Sequence, residues 1–171
     1  MTTKHTISVT AIIEYQGNFL FIKRRGDVSN FPGKRVFPWG KVELGEDVIQ
    51  ALSRELDEET GLQIAENYTL LSSYQFTREE DQSSSIGLVF LVHALNDEVV
   101  FDDESFSEYE WIQPEDILEY DSIYGMEAHV RNAIYALKHH QWIPRDWMSI
   151  THYQTNKESI TKEYLKELQQ N

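Results

Sequence analysis

The segment Asp47-Val48-Ile49-Gln50-Ala51-Leu52-Ser53-Arg54-Glu55-Leu56-Asp57-Glu58-Glu59-Thr60-Gly61 places Val48, Leu52 and Leu56 four residues apart. An α-helix advances about 100° per residue, so these three share one apolar stripe, and Gly61 stands where a left-handed residue ends a helix. On the same wheel Glu55 and Glu59 fall beside the stripe, Glu58 lies on its flank next to Arg54, and Asp57 faces water. Two carboxylates therefore point towards the core. A glutamate pair at i and i+4 repels by roughly 0.2–0.5 kcal/mol even on an exposed helix, so the cluster calls for a neutralising charge. Arg54 is one source; a bound hard cation is the other, and oxygen ligands of this kind suit Mg2+ or Mn2+. A merely solvated acidic helix face is the plainer alternative.

Upstream of this helix, Thr6 to Tyr15 is rich in Ile, Val and Thr, and Gln16-Gly17-Asn18 separates it from a second apolar run, Phe19 to Ile22. The pattern predicts a hairpin. Lys23 to Lys34 carries Lys23, Arg24, Arg25, Gly26, Pro32 and Gly33, which is loop chemistry and the densest positive patch in the chain, and Val36 and Phe37 form a short strand before Pro38. Downstream, Tyr68 to Phe76 and Ile86 to Leu95 read as strands, with shorter ones at Val99 to Phe101 and Tyr109 to Ile112. Pro114 suits a helix first turn, Gly125 to His140 shows Val130, Ala133, Ile134 and Leu137 on one face, and Ile160, Tyr164 and Leu168 suggest a helical tail. Strands, helix, strands and helices in that order indicate an α/β or α+β domain with a mixed sheet. The expected division is a domain over 1–145 and a helical tail over 146–171 packed on it.

The composition bounds what such a domain can do. The 171 residues include 29 Asp+Glu against 15 Lys+Arg, a net charge of −14, so a broad basic footprint for a nucleic acid polymer or an anionic membrane is lacking. With no cysteine, thiolate zinc sites, iron–sulfur clusters and cysteine nucleophiles are excluded. No stretch approaches the length of a membrane span, and the N-terminus lacks a signal-peptide pattern, so a soluble cytoplasmic protein, monomer or homodimer, is expected.

The surrounding string decides between the two readings of the glutamates. Gly40-Lys41-Val42-Glu43-Leu44-Gly45-Glu46 precedes the helix, and Arg54-Glu55-Leu56-Asp57-Glu58-Glu59-Thr60-Gly61-Leu62 closes it. This resembles the Nudix box: a Gly, five residues, a Glu, seven residues, then Arg-Glu-aliphatic-any-Glu-Glu-any-Gly-aliphatic. Every defined position is filled, a match expected by chance on the order of once in a million chains of this length. The resemblance implies an α/β/α sandwich over most of residues 5 to 140 and a Mg2+-dependent hydrolase that cleaves a nucleoside di- or triphosphate derivative between phosphates. It implies Glu55, Glu58 and Glu59 as metal ligands together with the Gly40 carbonyl, Arg54 as the residue that orients them, and Glu46 at the loop and helix start. Glu55 and Glu58 are both candidates for the general base. Hydrolysis of a pyrophosphate linkage needs activated water and neutralised phosphate oxygens, and a divalent cation held by carboxylates supplies both.

Outside the box, Arg24 and Arg25 resemble the strand and loop that meet the nucleotide in triphosphate-cleaving members, with a basic loop balancing the acidic helix as the alternative. Where the family usually has Gly-Gly, this chain has Trp39-Gly40; the indole is either a core aromatic or a wall for a base. Glu108 or Glu110, with Glu110 preferred, is expected to reach the metal cluster as a further base. The downstream signatures of subfamilies that cleave ADP-ribose, dinucleoside polyphosphates or NADH are not evident, which favours (d)NTP-like substrates. The rival from another class is a Nudix-fold binding or sensor module without turnover; loss of box glutamates would favour it, and all are present.

Overall fold

Val9, Ala11, Ile12 and Ile13 are all buried, so the first strand is apolar on both faces and belongs inside a sheet rather than at its edge. The computed structural model describes residues 5–77, 83–101, 104–123, 125–139 and 149–150. In it that strand, β1 (His5–Tyr15), is central to an eight-stranded mixed sheet. The chain returns antiparallel as β2 (Asn18–Arg24) through Gln16 and Gly17, both at positive φ, as a two-residue hairpin turn requires. β3 (Arg35–Val36) pairs with β2, and after Pro38 the chain crosses to form β4 (Trp39–Lys41) against β1, with Val9 opposite Gly40.

Helix α1 (Val48–Thr60) follows, then the long hairpin β5 (Ile64–Thr77) and β6 (Ser84–Ala94). β6 lies parallel to β1 over ten paired positions, from His5 opposite Ser84 to Glu14 opposite His93. β7 (Phe106–Ile112) pairs with β2, a 3-10 helix spans Pro114–Glu119, and α2 (Met126–His139) precedes β8 (Ser149–Ile150), which runs parallel to β5. Helix α1 packs on β1 and β4, and α2 packs on β5, β1 and the 3-10 helix. The two helices lie on opposite faces: Gly40 faces α1, whereas Ser72 and Tyr74 meet His129 of α2. The result is the expected α/β/α sandwich with a mixed sheet.

Two sequence expectations are revised and one element is added. Val99 to Phe101 is not a strand; the Val100 N–H donates to the Thr60 carbonyl at 2.9 Å, so its backbone closes the end of α1 instead of joining the sheet. The Pro114 segment is 3-10 and not α-helical. Trp39–Lys41, to which the sequence pattern assigns no element, is a strand because β1 offers it an edge. The helical tail expected after residue 145 lies outside the described residues, apart from the short strand β8.

Candidate active site

Helix α1 is fixed at both ends. Asp47 caps it, accepting from the Ile49 and Gln50 amides at 2.8 and 2.9 Å, while Gln50 returns a bond to the Asp47 amide at 3.0 Å. This reciprocal pair is a capping box. At the far end Gly61 takes φ 60 and donates to the Asp57 carbonyl, a backbone geometry that strongly favours glycine. The glutamates between these caps are thereby held in rotation and height relative to β4.

Glu55 lies directly against Gly40. A Cβ at position 40 would fall inside the Glu55 carboxylate, so only glycine permits helix and strand to approach this closely. Burial pushes the Glu55 carboxyl above its ordinary pKa, and the neighbouring Arg54 offsets part of that rise. Glu59 accepts the Trp39 amide at 2.9 Å, which ties the helix to the same strand one residue earlier.

Arg54 organises the remaining acids. Its Nε and Nη2 hold Glu46 in a bidentate pair at 2.7 and 3.0 Å, Nη1 donates to Glu55 at 2.8 Å and to Glu58 at 3.1 Å, and Nη2 also reaches the Lys41 carbonyl at 3.0 Å. The guanidinium holds Glu46 down at about 2, with help from the Glu43 amide, and the acids raise Arg54 above its ordinary value in return. Glu46 is therefore a fixed anion at any working pH. Glu58 is the most exposed of the group, with 57% of its side chain accessible against 15% for Glu55.

Among the described residues no three carboxylates or imidazoles converge on one point; Glu58 is turned to Arg54 and Glu59 to the Trp39 amide. The donor set nonetheless fits a hard divalent cation. It is all oxygen, it carries more negative charge than Arg54 balances, and the half-buried Glu55 carboxylate stands at the backbone of Gly40.

The other expected residues sit elsewhere. Arg24 lies over the Phe106 ring at 5.0 Å and donates to the Asn30 carbonyl. Arg25 grips Asp27 through two bonds of 2.9 Å. Both line the β2–β3 loop, and the structure does not bring them onto the glutamates. Glu108 and Glu110 do share a face, as strand alternation requires, and that face carries Phe21 and Tyr120. Glu108 is taken up by Lys23 at 2.5 Å and Arg35 at 3.4 Å, and Glu110 by Arg35 at 3.3 Å and by Tyr120. Neither reaches the box helix. Sequence reasoning missed Arg35, which stacks on Tyr120 at 4.8 Å; its alternation with the buried Phe37 was the available signal.

An acidic helix held over a glycine strand by one arginine, within an α/β/α sandwich, defines a Nudix hydrolase, and this chain belongs to that family. The family model for the NUDIX domain matches residues 4–134. Nucleoside triphosphatase NudI of Escherichia coli O139:H28 is 32% identical over 123 residues, covering 66% of this chain and 85% of that protein. In fold, the chain is similar to the MutT protein of Methanosarcina mazei Go1, with a TM-score of 0.66 at 24% identity over 81% of this chain and 99% of that one. A NUDIX hydrolase from Nitrosomonas europaea gives a TM-score of 0.69 at 18% identity over 89% and 82%. Among the described residues no helix is long and apolar enough to cross a membrane.

Proposed function

We propose that this enzyme hydrolyses a nucleoside triphosphate or a closely similar nucleotide, releasing the nucleoside monophosphate and pyrophosphate, with Mg2+ as cofactor and Mn2+ as a substitute. The observation that carries the reading is Glu55 seated against Gly40 inside the Arg54 network. The relative named as a nucleoside triphosphatase supports the substrate class.

Glu55, Glu58, Glu59 and the Gly40 carbonyl would hold the cation, which when bound acidifies water and neutralises phosphate oxygens. The chain's own residues do the rest. Arg54 fixes the rotamer of Glu55 and holds Glu58 on the same side of the helix, where it would be one of the cation's ligands. A carboxylate oxygen of Glu55 or Glu58 accepts the proton of the attacking water. Water adds at phosphorus, the bridging oxygen leaves with the pyrophosphate, and the proton resides on the glutamate until solvent takes it. Trp39, one residue from Gly40, borders the nucleoside end, whereas Arg24 and Arg25 are engaged by Asn30, Phe106 and Asp27 and take no part in this reading.

Purified protein assayed against a panel of nucleotides with Mg2+, scoring monophosphate and pyrophosphate, tests this. Monophosphate and pyrophosphate in equal amounts are expected. Tight nucleotide binding without any turnover would instead establish the sensor reading.

A further inference from the structure

Gly40 presents its missing side chain to Glu55, so alternation along β4 turns Trp39 and Lys41 to the opposite face of the sheet. The register carries that face across the strands: Trp39 stands beside Thr10, Lys41 beside Ser8, Ser8 beside Gly87, and Gly87 beside Tyr74. β1 and β6 thus contribute only Ser8 and Gly87 to the row that ends in Tyr74. A Cβ at position 87 would fall inside the Tyr74 phenol, nearest Cζ, Cε1 and the hydroxyl oxygen. The ring therefore lies flat over β6, and with strands about 4.8 Å apart its hydroxyl end is carried from β5 to the border of β1. From the helix side His129 meets the ring at 5.6 Å and contacts the Ser72 hydroxyl at 3.2 Å. Tyr74 is fixed from both sides.

We infer that Tyr74 is a base-discriminating residue of the nucleotide site, its ring limiting how far a base extends from Trp39 across β1 and its hydroxyl meeting the base edge. The inference rests on the nucleotide reading above. A substrate with its phosphates at Gly40 runs past Trp39 onto this face. One row across this face runs Trp39, Thr10, Val89 and Ser72, and the next runs Lys41, Ser8, Gly87 and Tyr74. An indole, a phenol and hydroxyl side chains around a small floor are chemistry for a heterocycle held by stacking and a few hydrogen bonds, with the Lys41 ammonium at the end near Gly40. Ser8 and Thr10 keep 5% and 6% of their surface, so only their outer atoms are reachable from this face. An isolated glycine within the strand run Ile86 to Leu95 is the sequence signal for such a close approach.

The test is kcat/KM for ATP, GTP, CTP and UTP in the parent, Tyr74→Phe and Tyr74→Ala, with melting temperatures alongside. Tyr74→Ala removes the stop and should shift the ratio of two-ring to one-ring bases by about tenfold towards two rings, a difference of about 1.4 kcal/mol. Tyr74→Phe keeps the ring over Gly87; it should preserve that ratio while raising KM for the best substrate about fivefold, the worth of one hydrogen bond. Should the alanine variant melt below assay temperature, Tyr74→Leu, shorter but still covering Gly87, replaces it. An unchanged base ratio in the folded shortened variant overturns the assignment of Tyr74 alone. A parent that turns over none of the four nucleotides overturns the nucleotide reading, and the inference with it.

Discussion

Two arginines in this fold are shared among carboxylates, and they are built in different ways. Arg54 spends all its donor nitrogens, on Glu46, Glu55, Glu58 and the Lys41 carbonyl, at distances from 2.7 to 3.1 Å. Arg35 gives one nitrogen to Glu108 and Glu110 at 3.4 and 3.3 Å, and its buried Nη1 has no hydrogen-bond partner among the described residues. The partners of Arg54 lie within thirteen positions of it, on one helix, the loop that leads into it and the end of β4, whereas Glu108 is 73 positions from Arg35. A network drawn from one short segment reaches full satisfaction because few independent placements have to agree. One assembled from separate strands stays long and incomplete. The first geometry suits a site that must be organised before substrate arrives; the second suits a clamp that ties β3 to β7.

The largest expected effect falls on the first cluster. Glu58→Gln and Glu59→Gln should each reduce turnover at least about a hundredfold at saturating Mg2+, because in the proposed function each would remove a ligand charge where the phosphate is neutralised. Melting in the absence of metal should hold or rise as repulsion is relieved. Near-parental rates in both variants would dissolve the distinction between the clusters.

Arg54→Ala should come next, lowering kcat about tenfold or more and melting by about 3–6 °C, since Glu46, Glu55 and Glu58 lose their common partner at once. Arg54→Lys should recover little, because an ammonium cannot fork between Glu46 and Glu55. Parental melting and turnover in the alanine variant would move Arg54 to the surface.

An acid titration sharpens the comparison by separating both clusters from a third group. His129 is buried and held at about 4, below its ordinary 6.5. The folded state therefore binds fewer protons than the unfolded state between these values, so its contribution is complete above about 6.5 and is lost as pH falls towards 4. The loss amounts to about 3 kcal/mol, in a window where Glu46, at about 2, stays charged. Chemical denaturation from pH 7 to 4.5 should show this slope in the parent and a flatter one in His129→Gln; equal slopes would remove His129 from the account.

The smallest effects belong to the second cluster. Glu108→Gln and Glu110→Gln should leave kcat within about threefold and lower melting by about 2 °C, the scale of exposed ion pairs. A hundredfold fall in kcat for Glu110→Gln, with a changed pH profile, would make it the base expected from its position before Trp111.

The same contrast explains what the sequence makes legible. Helix α1, its Gly61 end and the set Arg54, Glu55, Glu58 and Glu59 are readable because their decisive contacts are a few residues away. Asp57 outward and Glu55 inward follow from the helical period alone. β4 is not readable: three residues with a glycine at the centre become a strand only because β1 supplies an edge. Val99 to Phe101 errs the other way, since its β-forming side chains cannot show that the Thr60 carbonyl claims its amide. The partners of Arg35 and the ring over Gly87 depend on registers between distant strands, which no local pattern encodes.

The parallel pairing of β1 with β6 also dictates an order of assembly. β1 can form its hairpin with β2 and receive β4 from nearby chain, yet its other edge waits for a segment about eighty residues later. During synthesis the glycine strand and the acidic helix emerge onto a half-sheet whose inner edge lies open, and long-range parallel pairing is slow. Closure by β6 brings Gly87 and Tyr74 into place at the same stroke. The end proposed to hold the phosphates is thus assembled early from local chain, and the end that would distinguish one base from another is completed last.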